Sequence, residues 1–268
     1  MTNARGNLNE SRGGLLDLDS RSLRERFLDN HRGRVASPTL DAVGHMVLEV
    51  DRIDRVMEIG LAHLGKSTNS GRVDVGFGSA RRRYFSAAAE YVQDAGERPS
   101  MMGLKLPNTQ EVLQRVWRSR VPVPYDDVAN NHSVAPLRDA FAAVEAKAML
   151  AQRLEDGGQS FGIVCVDELD YGRFWTASEQ EFLHDFCRNF FGPILNISRQ
   201  LNAKRNTSRP SPAELEAIRM AAQGMGYKEI AVALEKSVRT IEFQLRSARQ
   251  KTGASNQAEL VRLCERWL

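Results

Sequence analysis

The spacing of apolar residues near the C-terminus constrains this chain more than any other feature. From Arg239 to Thr252, residues Ile241, Leu245, Ala248 and Thr252 fall at intervals of four, three and four, so they share one face of a helix. Arg239, Glu242, Phe243, Arg246 and Arg249 fall on the opposite face, with Gln250 beside them. Ser237 supplies an N-cap for this helix. Upstream, Tyr227 to Leu234 predicts a shorter helix with Ile230, Ala231 and Leu234 facing inward, and the small Ala231 lets two helices approach closely. Gly224 and Gly253 stand where helices end on a positive φ. Asn256 caps a fourth helix that carries Leu260, Val261, Cys264 and Trp267. Four short helices joined by tight turns make a compact bundle of the kind that reads DNA.

The residues Glu214, Gly224, Lys228-Glu229-Ile230-Ala231, Leu234, Ser237, Thr240-Ile241-Glu242-Phe243, Lys251 and Gly253 together resemble the LuxR/NarL-type helix-turn-helix, over residues 211–268. The resemblance implies that Glu242, Phe243 and Arg246 meet base edges. It also implies that Lys228, Arg239, Thr240, Arg249 and Lys251 lie at or near positions that approach phosphates, with Ser237 in the same DNA-contacting set. In that pose Arg246 donates two hydrogen bonds to a guanine and Glu242 accepts one from a cytosine amine. Three positions depart from the family pattern: Pro210 replaces an apolar residue, Gln244 a common His and Gln257 a common Arg.

Charge is distributed to match. The net charge is only +3, but residues 205–268 hold 11 Lys+Arg against 7 Asp+Glu, whereas residues 39–204 hold 19 against 22. With 42% hydrophobic and 26% charged residues, 268 residues suffice for one medium domain and one small one. Cys165, Cys187 and Cys264 lie inside apolar patterns without CxxC spacing, and His45, His63, His132 and His184 are dispersed. Neither a disulfide framework nor a metal centre is expected, and a reducing cytoplasm fits this cysteine usage. No apolar run approaches the roughly 18 residues of a membrane span, and the N-terminus lacks the apolar stretch of a signal peptide. The expected location is cytoplasmic, with no membrane partner.

Residues 1–38, rich in Arg, Asn, Ser and Gly, read as a flexible tail, with a short helical turn from Leu23 to Leu28. From Leu40 to Leu64 the apolar spacing predicts one long helix with Val43, Val47, Val50, Met57, Leu61 and Leu64 in a stripe. Met46, Ile53 and Val56 widen its apolar surface beyond one core face, and a dimer partner is one way to cover the excess. Strand-like alternation follows over Arg72–Phe77 and Arg82–Val92, then a helix over Thr109–Arg118, an extended "VPVPYDDV" and a short helix over Leu137–Val144. Ala146–Leu154 and Ser160–Asp167, joined by Asp156-Gly157-Gly158, predict a hairpin. Thr176 and Glu179 form a capping box for a long exit helix, and Gly192-Pro193 predicts a kink in it because Pro193 has no N–H for the carbonyl of Asn189.

This order, with "VPVPYDDVANN", Lys147 to Leu154 and "GQSFGIVCVDELDYGRFWTASEQEFLHDF", resembles a GAF domain over roughly residues 40–200. The expected fold class is α+β: a GAF-like antiparallel sheet flanked by helices, followed by a small all-α four-helix helix-turn-helix domain. The expected partition is a tail (1–38), a sensor and dimerisation domain (39–203), a linker (204–210) and the DNA-binding domain (211–268). The resemblance implies a small-molecule site between the sheet and its overlying loops. Met101, Met102, Leu104 and Tyr125 are candidates for its roof, with Tyr84 and Phe161 on strands beneath, and Asp126 and Cys165 complete the candidate set. Phe161, Ile163 and Cys165 alternate and so share one strand face, where Cys165 reads first as a core thiol and second as a redox group. Asp126-Asp127 reads as a turn cap or as a binder of a cation or a ligand amine, and Arg81-Arg82-Arg83 as a turn leading into an exposed strand or as a contact to an anionic ligand or DNA.

The spacing of Phe161 and Asp167-Glu168 does not fit a cyclic-nucleotide GAF site, and the cysteine set of a methionine-sulfoxide reductase is missing, so no enzymatic activity and no cofactor are expected. An opening acidic pair of a phosphoreceiver domain is missing as well. The two resemblances together imply a bacterial, homodimeric transcription regulator, an activator in type, that senses a small-molecule effector and binds a double-stranded DNA operator, with RNA polymerase as a further partner. Two other readings stay open on the same residues: an acyl-homoserine-lactone-type quorum-sensing regulator and a redox- or haem-sensing one. A module that binds only protein is a fourth.

Overall fold

A computed structural model describes residues 19–93 and 98–268, side chains at 204–208 and 266 excepted. Residues 1–18 of the expected tail lie outside the described residues. The remainder of that tail is not a solvated coil. Asp19 caps helix α1 (Ser20–Phe27) by accepting from the Ser22 N–H at 2.8 Å, and Leu23 and Phe27 are buried. Contacts divide the chain into two compact units between Gln200 and Leu201.

In the first unit the predicted long helix is two. Helix α2 (Ser37–Leu48) ends at Glu49, whose carbonyl takes the Arg52 N–H at 2.8 Å, and helix α3 (Ile53–Thr68) starts anew. The two pack on each other, joined by Thr39 Oγ1 and His63 Nε2 at 3.1 Å. Met46 and Val56 are fully buried in this arrangement. Met46 and Val56 are therefore covered within the chain, whereas Ile53 stays half-buried. Periodicity alone cannot see such a break, because the apolar phase runs on across it. Asn69 then closes α3 in the left-handed region, at φ 48°.

The strands are β1 (Arg72–Phe77), β2 (Tyr84–Phe85), β3 (Ala89–Val92), β4 (Leu106–Pro107), β5 (Val123–Tyr125), β6 (Ala148–Asp156) and β7 (Gln159–Glu168). The expected strand over Arg82–Val92 is thus split into two pieces that pair with different partners. Five strands form one antiparallel sheet in the order β3-β1-β7-β6-β5, and β2 pairs with β4 separately. The hairpin β6–β7 turns at Gly157 and Gly158, with φ of 56° and 79°, as the Asp-Gly-Gly signal predicts. Between β1 and β5 the chain adds helix α4 (Glu111–Arg118), and between β5 and β6 a 3₁₀ turn (His132–Leu137) and helix α5 (Arg138–Ala143).

Register assigns each sheet face a different content. One face carries Val73, Val75, Val164 and Val166 and packs on α3, where Gly65 lets the Tyr91 ring and Val73 come close. The other face presents two rows across the sheet. Glu90, Asp74, Cys165, Ala151 and Val123 lie side by side, and Arg72, Asp167, Met149 and Tyr125 form the next row. This second face is covered by α4, α5 and the intervening loops, which meet it in one apolar cluster that includes Val112, Trp117, Leu137, Phe141, Met149 and Ile163.

The exit helix begins as α6 (Ala177–Phe186) under the Thr176–Glu179 capping box and continues as α7 (Gly192–Ser208). Between them Cys187–Phe191 forms a π-helical turn, and the Gly192 N–H donates to the Cys187 carbonyl five residues back. The wider turn falls just before Pro193, where the missing N–H predicts a kink. After the end of α7, the second unit holds α8 (Pro212–Ala222), α9 (Tyr227–Ala233), α10 (Val238–Thr252) and α11 (Gln257–Cys264), followed by a 3₁₀ turn (Glu265–Trp267). Among the described residues, no helix is long and apolar enough to cross a membrane.

Candidate nucleic-acid interface and sensor core

The second unit is built around α10. Its buried Ile241, Leu245 and Ala248 pack with Leu215, Ile218, Ile230, Ala231, Leu260 and Cys264 in one cluster, as the spacing predicts. Ser237 caps the helix by accepting the Thr240 N–H at 3.1 Å, and the two hydroxyls lie 2.8 Å apart. Gly224 and Gly253 adopt φ of 88° and 74° at the ends of α8 and α10, and Asn256 caps α11. The turn from α9 to α10 also uses a left-handed residue that sequence reasoning missed: Glu235, at φ 52°, followed by a Lys236 N–H that donates to the Ala231 carbonyl at 2.9 Å.

With its apolar stripe buried, α10 turns Arg239, Glu242, Phe243 and Arg246 outward around one open depression. Phe243 is 70% exposed, too much for any part in the core. Among the described residues, none of the three charged side chains is tied up in an ion pair or hydrogen bond. Thr240 and Lys228 are exposed, whereas Arg249 is half-buried and donates to the Leu245 carbonyl at 3.4 Å. Lys251 differs from the rest. Its Nζ donates to both oxygens of Glu214 at 2.9 and 2.7 Å, and Glu214 is only 5% exposed. Burial alone would raise the Glu214 carboxyl, but hydrogen bonds from Lys251, Ser247 and Ser211 outweigh it and hold the group below the ordinary carboxylate range. Glu214 also closes the capping box of α8. Lys251 therefore clamps α10 to α8, a structural task that the family pattern does not reveal.

In the first unit the eight candidate effector residues separate. Met101, Leu104, Tyr125 and Cys165 do come together, in the apolar cluster on the loop-covered face. Tyr125 is fully buried and its hydroxyl donates to the Val112 carbonyl at 2.8 Å. Burial pushes that phenol up to about 12. Cys165 is buried as well, and burial followed by the nearby Asp74 and Asp167 pushes its thiol well up. It stays protonated and is a poor nucleophile, contrary to a redox role. Tyr84 and Met102 are instead surface residues, 43% and 47% exposed. Asp126 accepts the Trp175 N–H at 3.2 Å and Asp127 caps Asn130, so the acidic pair ties down turns, as its capping alternative has it.

Phe161 is on the wrong side of the sheet for the expected site. A bulge makes Leu154 pair with Gly162 but Glu155 with Ser160, which leaves Phe161 as the extra residue. Its ring joins Phe77 beneath the Arg199 guanidinium of α7, at 4.9 and 4.7 Å from the two ring centres. The alternation of Phe161 with Ile163 and Cys165 fails at that one inserted residue.

Sequence reasoning also missed the most unusual chemistry in this unit. Arg72, Asp74 and Asp167 are all buried on the loop-covered face, at 0%, 0% and 2% exposure. Arg72 Nε and Nη2 both donate to Asp167 Oδ2, at 3.0 and 2.7 Å, and Nη1 donates to the carbonyls of Pro99 and Val144. Single polar residues at strand positions gave no warning of this. The signal was there in the alternation of β1: Arg72 and Asp74 share the face opposite Val73 and Val75, which cannot both be solvated if the strand is central.

Comparison with known proteins agrees with the second unit and shows only distant likeness for the first. Residues 211–264 match the family model of bacterial regulatory proteins, luxR family. No relative was found among curated proteins. Similar solved structures include the PixJ GAF domain of Thermosynechococcus elongatus in its blue-light-absorbing form (14% identity, 65% of this chain and 95% of that one, TM-score 0.46). A GAF domain/HD domain protein of Geobacter sulfurreducens (18%, 57% and 96%, TM-score 0.46) and the free methionine-R-sulfoxide reductase of Neisseria meningitidis with its substrate (13%, 68% and 92%, TM-score 0.47) are others. The C-terminal part of this chain, residues 211–264, is a helix-turn-helix domain of the LuxR family of bacterial regulatory proteins.

Proposed function

We propose that this chain is an effector-responsive transcription regulator in which α10 reads an operator and the GAF-like first unit senses a small molecule. The reading rests on one observation above the others: the LuxR-family domain turns Arg239, Glu242, Phe243 and Arg246 outward, with the three charged side chains unengaged within the described residues. Arg246 pairs with a guanine, Glu242 accepts from a cytosine, and the Phe243 ring packs on a thymine methyl. Lys228, Arg239 and Thr240, with Ser237 at the helix N-terminus, position the domain on phosphates. Arg249 stands at the edge of that set, and Lys251 enters it only at the expense of its bond to Glu214.

Two such domains in a homodimer bind two half-sites, and the protein works in the cytoplasm with RNA polymerase as its further partner. The effector sits under the loops that cover the sheet, next to Met101, Leu104 and Tyr125. It acts by binding one dimer geometry more tightly than another, since equal affinity for both shifts nothing. The exit helix α6–α7 carries the change toward the reader.

Selection of DNA by the full chain from a randomised duplex library tests this reading. The expected result is enrichment of a two-half-site sequence bound at least ~10³-fold more tightly than bulk DNA at physiological salt. Binding without enrichment overturns base reading.

A further inference from the structure

The loop-covered face of the sheet holds two carboxyls, Asp74 and Asp167, and one guanidinium, Arg72, at buried positions, with the half-buried Glu90 beside them. Across the register Asp74 lies opposite Glu90 on one side and Cys165 on the other, and Arg72 lies opposite Asp167. Three carboxyls thus surround one guanidinium. Arg72 uses its donors on Asp167 Oδ2 and on the carbonyls of Pro99 and Val144. Glu90 takes the Met101 N–H at 2.8 Å and the Ser100 hydroxyl, so the segment from Pro99 to Leu104 is tied down over the cluster from both sides. Asp74 is left out. It is fully buried, and neither of its oxygens receives a hydrogen bond; Asp167 Oδ1 is in the same position. Three buried acceptors without donors are costly for a folded protein to maintain unless something fills them.

The groups facing Asp74 are Arg72 from its own strand, Glu90 from β3, and Cys165 and Asp167 from β7. Burial, then Asp167, push its carboxyl well up against the pull of Arg72. Burial therefore favours the protonated form of this side chain when no cation is present. Three His, Cys, Asp or Glu side chains in metal-binding geometry do not occur among the described residues, so a metal ion does not fit the set. An ammonium does: it offers three N–H donors to three free acceptors.

We propose that Asp74, with Asp167 Oδ1 and beneath the Pro99–Leu104 segment, anchors a small organic cation, an amine whose short apolar body lies among Met101, Leu104 and Tyr125. The inference rests on the sensor reading above and gives the effector its chemical class. Met101, unbranched and adaptable, is the side chain that repacks to admit the body. Binding exchanges the proton on Asp74 for the cationic head, so the charge of the cluster is unchanged and one proton leaves to solvent.

Thermal melting and calorimetry of the full chain test this. Butylammonium, phenethylammonium and agmatine are compared with butanol, phenethyl alcohol and sodium chloride at matched ionic strength. The expected result is a saturable rise in Tm with at least one amine, none with the alcohols, and binding weakened roughly tenfold or more in Asp74→Asn. Titration in two buffers of different ionisation enthalpy should show about one proton released per amine by the natural chain and none by the variant. Should Asp74→Asn fail to fold, Asp74→Ser carries the same comparison. Three outcomes overturn the proposal: no amine raises Tm beyond salt, an alcohol does as well as its amine, or the variant binds the amine unchanged. Any of these with operator binding intact removes the cation site and leaves the regulator; amine binding without sequence-selective DNA binding does the reverse.

Discussion

Both units of this chain keep ionisable side chains without a full set of partners, but they keep them in opposite surroundings. On α10, Arg239, Glu242 and Arg246 stand in water, where an unpaired charge costs almost nothing and stays available to DNA. On the sheet, Asp74 and one oxygen of Asp167 are buried, where an unfilled acceptor costs on the order of 1–3 kcal/mol. Unpaired charge at a surface is thus a feature that any solvated helix shows, and it acquires meaning only from the domain that carries it. A buried carboxyl oxygen without a donor is unusual by itself. The first kind of site declares its partner through its fold, the second through its chemistry.

The largest expected effect comes from breaking the buried side of this contrast. Arg72→Ala leaves Asp167 and Asp74 without their cation and removes two carbonyl contacts, so it should destabilise the first unit by about 3–5 kcal/mol, read by chemical denaturation. A loss under about 1 kcal/mol would mean that water reaches the cluster and that the contrast with α10 is weaker than burial indicates.

Asp74→Asn should do the opposite and stabilise the chain at pH 7 by about 1–2 kcal/mol, because it removes a buried carboxyl without hydrogen-bond donors that folding obliges to keep its proton. The pH dependence follows from the same shift. The Asp74 carboxyl is raised in the folded state, so the unfolded chain loses this proton first as pH rises. Stability from this group is present at low pH, falls once pH passes the ordinary carboxylate range and levels off above the folded value. The difference in unfolding free energy between the natural chain and Asp74→Asn should therefore widen with pH; a flat difference would show that Asp74 titrates normally. Glu214 gives the reverse sign, because its folded carboxyl is lowered: its contribution holds above the ordinary range and is lost on acidification.

Within the second unit, Lys251 and Lys228 separate structure from recognition. Lys251→Gln should weaken the α8–α10 contact by about 1 kcal/mol, the half-exposed ammonium being partly screened, and leave the salt dependence of DNA binding nearly unchanged. Lys228→Ala should leave stability unchanged and lower the slope of log K against log salt by about one. If Lys251→Gln lowers the slope equally, Lys251 leaves Glu214 to bind phosphate. The smallest effect belongs to the turn before α10, where Glu235→Gly should stabilise the domain by roughly 0.5 kcal/mol by relieving the left-handed backbone.

How much of this was legible in the sequence follows the same division. Helix α10 reads directly because burial and exposure alternate within one continuous element, and its caps at Ser237 and Gly253 are local. The hairpin β6–β7 reads for the same reason, through Gly157 and Gly158. What did not read depends on pairing at a distance. The Arg72–Asp167 bond joins residues on different strands, and the row of Glu90, Asp74 and Cys165 exists only once β1 lies between β3 and β7. Phe161 changes face because of one bulge opposite Leu154 and Glu155, and the break between α2 and α3 is decided by their packing on each other. At Pro193 the sequence predicts a kink, and the structure places a π turn over Cys187–Phe191 just before it, a detail of backbone pairing that propensity does not carry.

Base reading by the outward face of α10 is decided by a base-by-base affinity scan of the selected operator with the natural chain and Arg246→Ala. The expected result is a loss of about 1–3 kcal/mol confined to one base pair of each half-site, with discrimination at that position relaxed and the salt slope preserved. Uniform weakening at every position, together with a shallower salt slope, would contradict it and make Arg246 a phosphate contact only.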